Sequence, residues 1–183
     1  MTISRAATSL CYPARFMLAA AMNPCPCGYY GDLGRTCSCA PLVVERYRAR
    51  VSGPLLDRID IHIEVPAVPH RELTVERSGD ASAAIRERVD IARRRQLDRF
   101  ASCVGLFANA HMGPRDLKRH CRISQSADAV LKTALARLKL SARAYHRILK
   151  IARTIADLDG ADRVQSRHIG EAIQYRSLDR TLR

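Results

Sequence analysis

Four cysteines in two close pairs place the strongest constraint on how this chain can fold. They are Cys25, Cys27, Cys37 and Cys39, and a short glycine-containing loop separates the two pairs. Because tetrahedral Zn²⁺ takes four thiolates at about 2.3 Å, and a short loop joins the pairs at small entropic cost, the pattern predicts a structural zinc knuckle over residues 24–40. The pairs are C-x-C rather than C-x₂-C, so an iron–sulfur cluster or two disulfides are the alternatives.

The whole cysteine set also indicates a compartment. The chain has seven cysteines, an odd number, and its sequence shows no signal peptide and no apolar run long enough to cross a membrane. These features favour the reducing cytoplasm and argue against a membrane partner. Cys11, Cys103 and Cys121 stand alone in the sequence, and we expect them to be small buried hydrophobic residues.

The charge balance favours a polyanionic partner. Lysine and arginine total 31 against 18 acidic residues, which gives a net charge of +13. Such an excess points first to nucleic acid and second to nucleotide phosphates. Aromatic residues make up 5% and tryptophan is absent, so contacts with phosphates are expected rather than base stacking. A well-solvated basic surface without a partner is the alternative.

Two segments have the pattern of buried strands. Residues 15–22 form a continuous apolar run between Pro13 and Pro24, which suits a strand buried on both faces. Residues 58–65 alternate between apolar and polar side chains, as in a strand with one buried side. That buried side would carry Ile59, Ile61, Ile63 and Val65.

The rest of the chain has mainly helical signals. Helices are predicted over residues 41–50, 82–100, 126–138, 141–158 and 166–178, from apolar periodicity, from serines at the starts of the last three, and from Gly160 just beyond one end. In the basic helix 82–100, Ile85, Val89, Ala92, Gln96 and Phe100 share a stripe, and the arginines are expected to be solvated. The chain is therefore predicted to divide near residue 110, into a mixed α/β part (1–110) and a helical part (111–183).

Three segments carry a resemblance to a known family. They are RFMLAAAMNP at 15–24, SGPLLDRIDI at 52–61, and LSARAYHRILKIARTIADL at 140–158. They resemble the C-terminal part of the magnesium-chelatase-like AAA+ ATPases of the ComM/YifB type. The resemblance implies an α/β plus all-α fold class: an incomplete AAA+ core with a Cys₄ insertion, followed by a helical lid domain.

The resemblance also implies roles for three residues. Asn23 would be sensor 1, Arg58 the arginine finger and Arg143 sensor 2. Taken by themselves, an amide at a strand end can hold a phosphate or the attacking water, and an arginine fork can neutralise transition-state charge. Arg143 stands in a first helical turn, where the helix dipole disfavours a cation unless an anion is near. The alternatives are a turn-forming Asn23, a salt-bridged surface Arg58 and a surface role for Arg143.

The sequence lacks the motifs that form the first half of the family's nucleotide site. It contains no G-x-x-x-x-G-K-[ST] loop and no apolar strand ending in paired acids for Mg²⁺. In the family's sheet the two predicted strands would lie on either side of a central strand that this chain lacks. It is therefore expected to be a truncated product, or the second part of a split coding sequence, that is inactive alone.

The resemblance further implies the setting in which such a part would work. It implies ATP and Mg²⁺ in an intact assembly, a hexameric ring of neighbouring AAA+ subunits, and DNA branch migration. Two alternatives remain: a non-enzymatic zinc-knuckle protein that binds nucleic acid, and a remnant without function.

Overall fold

A computed structural model describes residues 2–5, 8–12, 16–32, 34–66, 68, 79–138 and 140–176. The chain forms two compact units, residues 1–47 and residues 48–183. The sequence instead places a domain boundary near residue 110, and that boundary stays a prediction. No helix within these described ranges is long and apolar enough to span a membrane.

The first unit contains a hairpin, the cysteine loop and one helix. Strands β1 (Thr2–Arg5) and β2 (Thr8–Cys11) pair antiparallel, with Ile3 opposite Leu10, and all of their residues are exposed. Helix α1 (Pro41–Arg48) begins at a proline, whose missing N–H is not needed in a first turn. Val44 is its buried residue.

Neither predicted buried strand is formed. Residues 16–22 lie outside any strand and are exposed, with Phe16 at 76% and Met17 at 94%; residue 15 lies outside the described ranges. Residues 59–65 also form no strand, and Ile61, Ile63 and Val65 are exposed.

The failure of these two predictions has a physical reason. A strand becomes stable only when neighbours take up its backbone hydrogen bonds and cover its apolar side. Within the described residues no strand pairs with either segment. Since the resemblance implies a central strand between the two, they are not each other's natural partners.

The second unit is helical. Its α-helices are α2 (Gly53–Leu56), α3 (Ser82–Phe100), α4 (Pro114–His120), α5 (Gln125–Leu138), α6 (Ala142–Leu158) and α7 (Ser166–Gln174), with a 3₁₀ turn at Asn109–His111. These bounds confirm the helices predicted in this unit to within a few residues. Helix α7 ends at Gln174, whereas the prediction continued it to residue 178: residues 175 and 176 are not helical, and residues 177 and 178 lie outside the described ranges.

Local signals account for the ends of these helices. Ser141 caps α6 by accepting a hydrogen bond from the Ala144 N–H at 3.2 Å. After α6, Gly160 adopts a φ of +73°, a left-handed conformation that glycine takes without strain. Helix α5 is capped by Ser124, which accepts from the Ala127 N–H, rather than by the predicted Ser126.

The core of the second unit surrounds α6. Ile148, Ala152 and Ala156 of α6 are fully buried and belong to one cluster with Leu131 of α5 and Ile169 of α7. Helix α3 joins this cluster through its C-terminal half, where Ala92, Gln96 and Phe100 are buried, while Ile85 and Val89 of the same predicted stripe are exposed. Of the isolated cysteines, Cys121 is buried as predicted, Cys103 is half-buried and Cys11 is exposed.

A buried carboxylate fixes α3 on α6. Asp157, with a fully buried side chain, accepts from Arg99 of α3, from Arg153 and from Asn109 Nδ2 at 2.8 Å. Burial alone would raise the pKa of Asp157, but the hydrogen bonds from Arg99 and Asn109 outweigh it and hold that pKa below its ordinary value. Arg99 is therefore an exception to the predicted solvated face of α3, on which Arg86, Arg93 and Arg94 are exposed.

Candidate metal centre and arginine cluster

The structure brings the four cysteines of the predicted knuckle together. Their Sγ atoms all lie within 4.8 Å of one another, and the distances that Cys37 Sγ makes to Cys25 and Cys27 are 3.7 and 3.5 Å. A tetrahedron with 2.3 Å metal–sulfur bonds has edges of about 3.8 Å. All four thiols are free, so the cluster has the donor set and spacing of a Cys₄ metal site.

The turn between the cysteine pairs is built on glycine. Gly28 and Gly31 have φ values of +87° and +82°, where a Cβ would be strained. The Gly28 N–H donates to the Cys25 carbonyl at 3.1 Å, which closes a tight turn around the first pair. Cys25, the first residue of this turn, is fully buried.

The outer part of the loop is held by its own polar side chains. Asp32 Oδ1 accepts from the backbone N–H groups of Gly34 at 2.6 Å and Arg35 at 3.1 Å. Arg35 in turn lies over the Tyr29 ring and donates to its hydroxyl at 2.7 Å. The loop therefore has local structure of its own between the two pairs.

The thiols of the cluster compete with one another for ionisation. A hydrogen bond from the Tyr29 backbone lowers the pKa of Cys27 to about 5. The Cys39 backbone also favours the Cys37 thiolate, but burial and the neighbouring thiols Cys27 and Cys25 raise the pKa of Cys37 to about 12. Adjacent thiolates repel one another. A bound dication would relieve that repulsion, because it makes several neighbouring thiolates favourable at once.

The three predicted nucleotide-site residues lie in both units. Asn23 belongs to the first unit, where it is exposed two residues before the first cysteine. Arg58 and Arg143 belong to the second unit, and both lie beside Asp57.

Arg58 follows the short helix α2 and is exposed. Its Nη1 donates to the Pro54 carbonyl at 2.7 Å, which closes the turn beneath it. No carboxylate within the described parts of the chain forms an ion pair with it. Most of its fork therefore remains accessible to an anion from outside the chain.

Arg143 lies in the first turn of α6, as predicted. Its side chain is 58% exposed, and its Nη1 is 3.4 Å from Asp57 Oδ2, a long contact for an ion pair. The same helix terminus offers partial positive charge from its unpaired N–H groups. An anion that approaches this terminus would therefore meet both the helix dipole and Arg143.

Sequence reasoning missed the contacts that surround this site. Arg176 Nη2 lies 3.6 Å from Asp57 Oδ1, and Arg147 Nη1 lies 3.1 Å from Asp60 Oδ1. We call Arg143, Arg147 and Arg176 the arginine cluster. Two signals could have indicated it: the i, i+4 spacing of its first two members on α6, and the two aspartates that flank Arg58.

Two family profiles together match nearly all of the chain that the structure describes. Residues 79–176 match the profile described as magnesium chelatase, subunit ChlI C-terminal, and residues 1–73 match that described as magnesium chelatase, subunit ChlI.

Three curated proteins show the same similarity in sequence. Competence protein ComM of Haemophilus influenzae is 44% identical over 98% of this chain and 34% of its own length. The uncharacterized YifB proteins of Escherichia coli and Salmonella typhimurium are 42% and 41% identical, each over 98% of this chain and 34% of their own length. The chain thus spans about a third of the length of the curated relatives that it matches.

Proposed function

Because this chain belongs to the magnesium-chelatase family, we propose that it supplies the trailing part of an AAA+ ATP site. In this proposal Asn23 is sensor 1, Arg58 is the arginine finger and Arg143 is sensor 2. Asn23 and Arg143 would contact the nucleotide phosphates, and Arg58 would reach the nucleotide of a neighbouring subunit.

The observation that carries the proposal is the pair of accessible guanidiniums beside Asp57. Arg58 is exposed and pairs with no carboxylate among the residues that the structure describes, and Arg143 is 58% exposed at a helix N-terminus. An arginine held by a long contact at such a terminus can exchange its partner for a phosphate at modest cost. The accessible guanidinium of Arg58 nearby suits a group that acts on another subunit.

The remaining parts of the ATP site would come from outside the matched region. This sequence contains no phosphate-binding loop, and the relatives extend over about three times its length. We propose that ATP, with its Mg²⁺, is held by a polypeptide that corresponds to that additional length, within a hexameric ring of AAA+ subunits. The 183-residue chain by itself is then expected to hydrolyse no ATP, because the groups that position the phosphates are missing.

The cysteine cluster would have a structural role in this assembly. Its four thiols suit a closed Zn²⁺ site, since no ligand position is left for substrate. Bound Zn²⁺ would hold the loop that directly follows Asn23.

DNA is the proposed macromolecular partner. The net charge of +13 supports it. Binding through phosphates should weaken strongly between about 50 and 200 mM salt, because counterions are released on binding. Affinity that stays flat over this range would contradict the proposal.

The ATP-site proposal can be tested in a chimera. The matched third of the Haemophilus influenzae protein is replaced by this chain, and ATP turnover and ATP binding are measured. Arg58→Ala should lower turnover by ~10³-fold or more and leave ATP binding largely intact. Arg94→Ala, on the exposed face of α3, is the matched control. A chimera that hydrolyses ATP equally well without Arg58 would show that the assignment is wrong.

A second candidate function is supported by the cysteine cluster alone. A non-enzymatic zinc-knuckle protein needs only a Cys₄ site and a basic surface, and this chain has both features. In that case Cys37→Ser should abolish DNA binding by the 183-residue chain. The chimera should show no ATP turnover. The ATPase proposal expects the opposite pattern, namely ATP turnover that depends on Arg58.

A further inference from the structure

We propose that Arg176, assisted by Arg147, positions the loop that presents Arg58, and that both act as positioning residues of the ATP site. We call residues 57–62 the finger loop. This inference deepens the proposed function and rests on it for its catalytic consequence. Its structural basis lies entirely within the second unit.

Arg176 holds the finger loop on both sides of Arg58. It follows the end of α7 and is 2% exposed. Its Nη2 lies 3.6 Å from Asp57 Oδ1, and its Nη1 donates to the Ile59 carbonyl at 3.2 Å. The hydrogen bond to Ile59 holds the backbone after Arg58, and the longer contact places the Asp57 carboxylate, before Arg58, beside the same planar group.

Two further contacts hold the end of the finger loop. Arg147 of α6, which is 17% exposed, forms the ion pair with Asp60 at 3.1 Å. The His62 N–H donates to the Tyr175 carbonyl at 2.7 Å, and His62 itself is 5% exposed. The loop is thus attached at residues 57, 59, 60 and 62, whereas Arg58 between them is exposed.

The use of charged groups at this place argues for positioning. Removing a guanidinium from water costs several kcal/mol, and a well-packed apolar side chain often stabilises a fold as well as a buried ion pair does. What the arginine adds is directional contact with the loop backbone. Since a displacement of about 1 Å at a reacting group can cost ~10²-fold in rate, the position of the Arg58 backbone is worth controlling in this way.

The structural half of the proposal is tested on the 183-residue chain by hydrogen exchange. In Arg176→Gln, amides of the peptide spanning residues 57–63 should exchange ~10-fold faster or more, because a charge-assisted contact is lost. Arg167→Gln is the matched control: it lies on α7, is 63% exposed and pairs with Asp159. Circular dichroism checks that the helices remain. If Arg176→Gln unfolds the chain, the same exchange measurement is made on Arg147→Gln, a substitution at a partly exposed position.

The catalytic half is tested in the chimera described above. Arg176→Gln should lower ATP turnover by ~10-fold or more and leave the KM for ATP unchanged, because it acts through the finger. Arg58→Ala combined with Arg176→Gln should be no slower than Arg58→Ala alone. If Arg176 had only a structural role, Arg176→Gln would lower ATP turnover by the same factor when Arg58 is present and when it is replaced by alanine.

The possible outcomes separate this inference from the proposed function. Unchanged exchange in both variants, or an additive loss of turnover in an active chimera, overturns the positioning role alone. A chimera that hydrolyses ATP independently of Arg58 overturns the proposed function, and the catalytic half of this inference with it. Faster exchange together with a non-additive loss of turnover supports both.

Discussion

At the residue scale, the four thiols of the cysteine cluster lie close enough together for one cation to bind them all. Four sulfur atoms within 4.8 Å repel one another once more than one is ionised. A hydrogen bond from the Tyr29 backbone lowers the pKa of Cys27 to about 5, whereas for Cys37 the favourable Cys39 backbone contact is outweighed by burial and the neighbouring thiols, which raise its pKa to about 12. A metal ion converts the repulsion into four bonds. The stability of the loop should therefore follow its metal content.

We expect one Zn²⁺ per chain, bound by the four clustered cysteines. Cys37→Ser should lose most of the metal and destabilise the local fold by several kcal/mol, since metal binding and folding are coupled at such sites. Elemental analysis and thiol titration measure the loss. Cys11→Ser, at an exposed position outside the cluster, should retain full metal content. Wild-type protein without zinc or iron, and with four freely titratable thiols, would contradict this expectation.

Spacing along the chain decided which site residues could be predicted. The cysteines converge over a short loop, so their spacing already specified the cluster. Arg176 contacts Ile59 across 117 positions of sequence, and no local pattern records such a contact. Arg58 and Arg143 were predicted through the family resemblance, because their own residue types and positions left surface roles open.

At the element scale, the same distinction separates helices from strands. The ends of α6 follow from Ser141 and Gly160, which act within one turn of the helix. The two predicted strands needed partners far along the chain, and the described residues contain none for them. Helical periodicity was therefore reliable here, and apolar alternation at residues 59–65 was not.

The packing of α3 on α6 should depend on Asp157. Asp157→Asn leaves Arg99 and Arg153 without their shared carboxylate, and breaking a buried ion pair in this way costs about 3–5 kcal/mol. Urea denaturation followed by circular dichroism measures the change in the free energy of unfolding. Asp128→Asn, which removes the exposed partner of Lys132, is the control and should change that free energy by less than about 1 kcal/mol.

The same carboxylate should make stability depend on acid. The pKa of folded Asp157 lies below the ordinary value of 3.8, so its ionised form stabilises the fold above that value. As the pH falls below about 4 and through the folded-state pKa, this contribution should be lost. Unfolding free energies measured from pH 6 to pH 2 test the prediction. Asp157→Asn should show a smaller loss over the acidic part of this range, and an equal loss would contradict it.

At the scale of the whole molecule, the second unit has a core that begins well before residue 110. Phe100 of α3 and Met112 belong to the same buried cluster as Ile148, and Arg99 reaches Asp157. A division of the chain near residue 110 would cut through these contacts.

Two segments expressed separately should show where the folding unit begins. Residues 79–183 should unfold cooperatively and be more stable than residues 111–183, because the shorter segment leaves Asp157 without Arg99 and the core without Phe100. Thermal unfolding followed by circular dichroism compares them. Equal stability of the two segments would instead support the boundary predicted near residue 110.

The exposed apolar run at residues 16–22 affects the fate of the molecule when it is made alone. This uncharged apolar stretch, with Phe16, Met17 and Leu18 exposed, is a surface through which copies of the chain can associate by burying apolar area. The net charge of +13 keeps copies apart at low ionic strength, and salt screens that repulsion. In a cell, the run would be a binding site for chaperones, so the lifetime of the chain would depend on how soon other protein covers it.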